Sequence, residues 1–125
     1  MNTQTNIIIR FQMEGFHNFP KAAELFPEVS FLADRHRHMF HFECEKKVYH
    51  DDRDVEFIMF KREVQSWLID KYGSDERSDY PPFSYPLEFG AMSCEAIARK
   101  LLEFFDLESC TVSEDGENAA KIFVI

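Results

Sequence analysis

Residues 35–49 constrain this chain more than any other stretch, because they read as one long extended segment headed by His36-Arg37-His38 and continuing through Met39-Phe40-His41-Phe42-Glu43-Cys44. In a β-strand alternate side chains share a face, so His36 and His38 point the same way as Phe40, Phe42 and Cys44. Two imidazoles at that spacing can close on one zinc ion, which takes neutral histidine nitrogens at about 2.0–2.1 Å. His17, at the end of the strand-like segment Ile7 to Phe16, is a third candidate. Three histidines with an open fourth position are the pattern of a catalytic rather than a structural zinc. The spacing alone describes two polar residues at a strand mouth equally well. His41 falls on the opposite face of the same strand, as a surface or interface imidazole, and His50 falls at the turn that follows.

A chain of 125 residues with fourteen Phe fits one domain, residues 1–125, with an aromatic-rich core. No apolar run approaches the ~18–20 residues of a membrane span, and Met1-Asn2-Thr3-Gln4-Thr5 lacks a basic signal-peptide start. The expectation is a soluble, cytoplasmic protein that does not engage membranes. Cys44, Cys94 and Cys110 are odd in number and lack C-x-x-C spacing, which points to reduced core thiols. Fourteen Lys and Arg against twenty-three Asp and Glu leave a net charge of −9, which repels a phosphate backbone and argues against duplex binding. A small anion held in a local basic pocket remains compatible with that charge.

Ile7 to Met13 reads as the first strand, with Gly15 allowing a bend or bulge before His17. Residues 18–34 read as a connection with a helical turn near Ala22 to Phe26. After the second strand, His50-Asp51-Asp52-Arg53 predicts a hairpin turn, and Asp54 to Phe57 is expected to pair back before a helix reaching Tyr72. Phe57, Phe60, Val64, Trp67, Leu68 and Tyr72 recur at helical spacing, and Gly73 ends the run. Residues 74–90, with Pro81, Pro82, Pro86 and several aromatics, read as a long stiff loop in which Tyr80, Phe83 and Tyr85 either cap a pocket or pack the loop. Ser93 caps a second helix whose apolar face is Ile97, Ala98, Leu101, Leu102 and Phe105. Thr111 to Ser113 and Ile122 to Ile125 are the last strands, joined by a turn at Asp115 to Asn118. The predicted class is α+β, an antiparallel sheet with two helices on one face in the order ββααββ.

That order, with these residues in these places, resembles the 6-pyruvoyl-tetrahydropterin synthase and 6-carboxytetrahydropterin synthase family of the T-fold, and the similarity spans most of the chain. Met13-Glu14-Gly15-Phe16-His17 matches the family's aromatic-small-x-His strand end, and His36-Arg37-His38 matches its H-x-H. Val55 to Lys61 resembles the entry into its first helix, with Glu56 replacing Asp. Ser93 to Ala98 resembles the start of its second helix, and Thr111 to Glu114 the strand whose terminal Glu anchors the pterin ring. The resemblance implies zinc on His17, His36 and His38, a ring-anchoring Glu114, and a ring-shaped homo-oligomer, a hexamer built from trimers. It also implies carbon–oxygen lyase or isomerase chemistry on a pterin-like, deazapurine-like or nucleotide-like ligand.

Two departures bear on that activity. No cysteine lies in Glu28 to Arg35, where the family carries its proton-relay thiol, and Asp70 is followed by Lys71 where the family has an Asp-His pair. Asp34 shares strand parity with His36 and His38, so it and Glu114 are the candidate proton carriers, with a solvated turn carboxylate as the plainer reading of Asp34. Arg35 and Arg37 flank the histidines as candidate receivers of a ligand phosphate or carboxylate. The expected function is a zinc-binding protein of this type with the relay lost. The alternatives are a non-catalytic protein that sequesters a small heterocycle and a structural subunit without metal.

Overall fold

The computed structural model describes residues 1–74 and 86–125. Tyr80, Pro81, Pro82, Phe83 and Tyr85, and with them the expectation of a pocket cap, lie outside the described residues.

Two thirteen-residue strands, β1 (Thr5–His17) and β2 (His36–Val48), form the frame. They pair antiparallel without interruption from Thr5 opposite Val48 to His17 opposite His36. Alternation then divides both strands identically. Ile7, Ile9, Phe11, Met13, Gly15 and His17 share one face with His36, His38, Phe40, Phe42 and Cys44. Phe11 and Phe42 stack across the pair with centroids 4.9 Å apart. Between β1 and β2 lie a short helix, α1 (Ala22–Leu25), and a 3-10 segment, Pro27–Ala33.

The turn after β2 leads directly into a helix, α2 (Phe57–Tyr72), instead of a returning strand. Both carboxylate oxygens of Glu56 accept backbone N–H bonds, from Ile58 at 3.2 Å and Met59 at 2.8 Å. Asp54 is occupied as well, accepting the Tyr49 N–H at 2.8 Å. With Glu56 capping the helix and Asp54 tied back to Tyr49, 54–57 does not pair back as a strand, contrary to the expectation. Phe60, Val64 and Leu68 form the buried stripe of α2, whereas Phe57 is left exposed. Gly73 ends the helix for want of space, since a Cβ there would lie 2.4 Å from the Ile69 carbonyl oxygen.

The predicted loop contains a strand, β3 (Leu87–Gly90), which pairs parallel with β1 and buries Leu87 and Phe89. The sheet is therefore mixed, which corrects the all-antiparallel expectation. After β3, Ser93 caps α3 (Cys94–Phe105) by accepting the Ala96 N–H at 3.1 Å. Strands β4 (Ser109–Glu114) and β5 (Ala119–Phe123) close the five-stranded sheet in the order β3-β1-β2-β4-β5. Helix α2 packs over β1 and β3, and α3 over β4 and β5. Between helices and sheet lies one apolar core of Phe, Leu, Ile and Val in which Phe40 and Phe42 are among the largest buried side chains. Removing either ring would cost about 3–5 kcal/mol. The architecture is α+β, and no helix among the described residues is long and apolar enough to cross a membrane.

An irregularity does fall just before His17, as expected from Gly15, but Gly15 itself is regular. It pairs regularly with His38, and the register shift falls on the β3 side, between Phe16 and His17. Its role is to leave room, because a Cβ at Gly15 would stand 2.9 Å from the Phe40 ring and 3.2 Å from Phe89.

Candidate metal centre

The β1–β2 register sets His17 directly opposite His36, with His38 two residues along on the same face. The three rings stand edge to face, with centroids 4.6, 5.0 and 5.2 Å apart. Phe40 forms their floor, 5.2 Å from His17 and 5.7 Å from His38. One nitrogen from each ring lies within 4.8 Å of the other two, so the group can hold a metal ion. The three residues expected from the sequence are thus brought together.

Each ring is oriented by its other nitrogen. Nδ1 of His17 bonds the Met92 carbonyl at 2.9 Å, Nδ1 of His36 the Asp34 carbonyl at 2.8 Å, and Nδ1 of His38 the Asp115 carboxylate at 2.7 Å. All three partners are acceptors, so each Nδ1 carries a proton, and a neutral ring so anchored presents its lone pair at Nε2. Such outer contacts fix the tautomer and orientation of metal-binding histidines. Nε2 of His17 and of His38 are buried without a hydrogen-bond partner. Burial holds His17 below the usual imidazole range, against the opposing pull of the Met92 carbonyl and the Glu114 charge. Buried polar atoms seldom go unpaired, and two converging lone pairs in one place fit a cation.

Glu114 ends β4 opposite Phe40 and brings its carboxylate to the same point. Its Oε1 lies 3.2 Å from His17 Nε2 and its Oε2 3.5 Å from His38 Nε2. Neither approach has hydrogen-bond geometry, since both nitrogens remain unpartnered. The Cys94 thiol donates to Oε1 at 3.6 Å. Burial, then the Glu114 charge, pushes that thiol up to about 12, so it remains an S–H donor at neutral pH. Cys94 is accordingly more than the core thiol expected from sequence, because its sulfur reaches the site. Cys44 and Cys110 are core thiols as expected, paired across β2 and β4 with sulfurs 4.0 Å apart.

Asp115 is the residue that sequence reasoning took only for a turn. With Gly116 it forms a positive-φ pair at the β4–β5 turn, the backbone that Asp-Gly favours in hairpins. There its carboxylate accepts the Met39 N–H at 2.9 Å as well as the His38 Nδ1–H. The His38 bond, followed by the Met39 bond, keeps the Asp115 carboxyl below the usual carboxylate range. Once Glu114 is set opposite Phe40, the next residue necessarily falls beside Met39 and His38, which is the signal that could have found it. Met92 had no such signal, since it contributes only a carbonyl.

Asp34 is exposed, and its contact with the site is through the backbone carbonyl that orients His36. Arg35 and Arg37 are not brought to the site. Their side chains take the opposite face of the sheet, where Arg37 pairs with Glu14 at 2.8 Å and Arg35 pairs with Glu88 while lying 3.6 Å over the Phe16 ring. The expectation that they receive a ligand beside the histidines is corrected by strand parity. A cavity of about 490 Å³ opens over the cluster, with His17, His36, Glu114, Cys94, Phe19 and Phe26 among its walls. Its described walls include Glu95 and Glu114 and no Lys or Arg.

No family model matches the chain, and no curated protein matches it. Among solved structures, an uncharacterized protein from Wolinella succinogenes is similar over 99% of this chain and 100% of its own, with a TM-score of 0.62 and 14% identity. Likeness at that identity concerns the fold alone.

Proposed function

We propose that this chain is a zinc-binding T-fold protein, similar to the 6-pyruvoyl and 6-carboxytetrahydropterin synthases, whose cavity takes a small nitrogen heterocycle of pterin, deazapurine or nucleotide type. The observation that carries the reading is the set of three acceptor-anchored imidazoles, each with a nitrogen within 4.8 Å of the other two, of which His17 and His36 line the cavity. His17, His36 and His38 would hold the zinc, which when bound supplies a Lewis acid that polarises a ligand oxygen. The Phe19 and Phe26 rings, 6.0 Å apart, give the cavity an aromatic wall suited to a planar ring. Glu114 and Glu95 offer carboxylates to ring N–H donors.

Binding without turnover is the second reading, and the walls of the cavity favour it. Cys94 is held protonated, and no Lys or Arg among the described residues of the wall would meet a triphosphate tail. We further propose a cytoplasmic homo-oligomer, with a hexamer of paired trimers as the preferred state. Strand β5 is a sheet edge carrying the exposed Phe123, followed by the exposed Val124 and Ile125, and open edges of this kind are usually covered by pairing. Light scattering at micromolar concentration tests the assembly, and a monomer would defeat it.

Metal analysis of the purified protein should find about one zinc per chain. Incubating the zinc form with dihydroneopterin triphosphate and weighing the small molecules separates the two readings. A new product supports the lyase or isomerase reading, and unchanged but retained substrate supports sequestration. No retention together with no product would remove this ligand class.

A further inference from the structure

We propose that Cys94 is a positioning residue, whose thiol holds the Glu114 carboxylate in the cavity wall in the orientation from which it meets ring N–H groups of a bound heterocycle. This rests on the ligand reading above and goes past it, since neither the spacing nor the resemblance gives Cys94 a role at the site. Helix α3 packs over β4, so the first residue of the helix comes down beside the last residue of the strand. There Cys94 is buried, lines the cavity together with Glu114, and donates its S–H to Oε1 at 3.6 Å. His17 stands in the same wall with its side chain only 8% exposed and its Nε2 unpartnered, which independently marks the place as one built for a ligand.

The carboxylate has need of such a hold. Its backbone is pinned at the strand end by the N–H bond to the Asn118 carbonyl at 3.0 Å, but its side chain is 31% exposed and open to solvent. The neighbouring imidazoles of His17 and His38 supply no donor, because each Nδ1 is committed to an acceptor and each Nε2 is without a hydrogen-bond partner. Among the described residues, the Cys94 thiol is the one hydrogen-bond donor to either Glu114 oxygen. It occupies one of the ~four lone-pair sites of the carboxylate and leaves the rest for a ligand. Burial and the Glu114 charge push the thiol up to about 12, so this donor is present throughout the neutral range. A thiol in the wall thus aims the acid without neutralising it.

The S–H stretching band in the Raman spectrum reads this contact without ligand or turnover, because its frequency falls when the thiol donates. Cys94→Ala should remove one component of the band, and Glu114→Ala should raise that component toward a free thiol while those of Cys44 and Cys110 stay in place. Pterin, followed by its own fluorescence, serves as the binding probe. Cys94→Ala should weaken pterin binding by ~10-fold, the scale of a hydrogen bond to a charged group, and Cys94→Ser, which keeps a donor, should recover most of the loss. In the Glu114→Ala background the same Cys94→Ala change should cost nothing further, because the thiol acts only through the carboxylate. Additive losses in the double variant, or a Cys94 band indifferent to Glu114→Ala, would overturn the positioning role. If Cys94→Ala folds poorly by circular dichroism, the band shift in Glu114→Ala and the Cys94→Ser affinity still decide it. Failure of the unaltered protein to bind pterin would overturn the ring-ligand reading, and the thiol band would then decide by itself whether Cys94 holds Glu114.

Discussion

The two faces of the β1–β2 ribbon are built from alternate residues of the same short stretches, and they treat polarity in opposite ways. On the solvent side, Arg37 meets Glu14, Arg10 meets Glu43 at 2.7 Å, and Asn6 reaches Glu45 at 3.2 Å, so donors and acceptors cancel. On the helix side, His17, His36, His38 and Glu114 converge as acceptors, with two buried nitrogens left without a partner. One face is complete without anything added. The other carries a surplus of lone pairs that protein groups do not satisfy, and such a surplus marks a binding site. The boundary between the two is a single step of strand parity at Arg37, which has a candidate ligand on either side of it in the sequence.

The largest effect should come from removing one member of the surplus. His38→Ala deletes a central nitrogen, and bound zinc measured by metal analysis should fall by more than ~100-fold in affinity, beyond the 10–100-fold typical of losing an outer contact. His36→Ala should behave alike. Because neither imidazole is among the apolar core residues, the fold should persist in both, judged by circular dichroism. Full metal retention in both variants would end the site assignment.

Asp115→Asn comes next. It leaves all three imidazoles in place but exchanges the carboxylate at His38 Nδ1 for an amide that can present either a donor or an acceptor. Zinc affinity should fall by about 10–100-fold, the usual cost of disturbing an outer ligand contact. An effect as large as that of His38→Ala would mean that Asp115 itself reaches the ion.

Gly15→Ala probes the floor beneath the imidazoles. The added methyl would press on the Phe40 ring at 2.9 Å and on Phe89 at 3.2 Å, overpacking that costs about 1–3 kcal/mol in thermal or denaturant unfolding. Since Phe40 also contacts His17 and His38, zinc affinity should drop too, though by less than in Asp115→Asn. An unaltered unfolding midpoint would show that the rings have room to move aside.

How much of this was legible beforehand follows the range of the physics involved. Strand alternation is local, so the shared face of His36, His38 and Phe40 could be read from residues 36–40 alone, and helical spacing placed Val64, Leu68, Ile97 and Leu101 in the core. His17 is legible as a third candidate from its place at a strand end, Glu114 only from family resemblance, and the structure brings both to the cluster. What was lost needed partners distant in sequence. Leu87 and Phe89 alternate over too few residues, and too close to Pro86, to stand out as a strand until β1 is there to pair with them. Glu56 sits between two hydrophobic residues as a strand residue would, and only its bonds to the Ile58 and Met59 N–H groups mark it as a cap. Cys94 and Asp115 each make their decisive contact across more than fifteen residues of sequence, to Glu114 and His38 respectively. Arg35 and Arg37 differ again, since they adjoin the histidines in sequence while strand parity sends them to the other face.

The smallest effect on metal should come from the residue lying between two of the ligands. Arg37 has its side chain on the solvent face, paired with Glu14, and reaches the site only as the smallest of the influences on the Asp115 carboxyl, so the parity argument says that the metal should scarcely sense it. Glu14 is largely covered, its side chain only 12% exposed, and removing the guanidinium leaves that carboxylate short of a partner. Arg37→Met, which keeps the aliphatic stem, should therefore lower stability by about 1–2 kcal/mol through the unpaired acid. The double change Glu14→Gln with Arg37→Met should recover part of that loss, because the amide carries no charge to leave uncompensated. Zinc stoichiometry and affinity should match those of the unaltered protein in both variants. Weakened zinc binding in Arg37→Met, with the fold intact by circular dichroism, would show that the ribbon transmits charge between its faces and that parity alone does not separate site from scaffold.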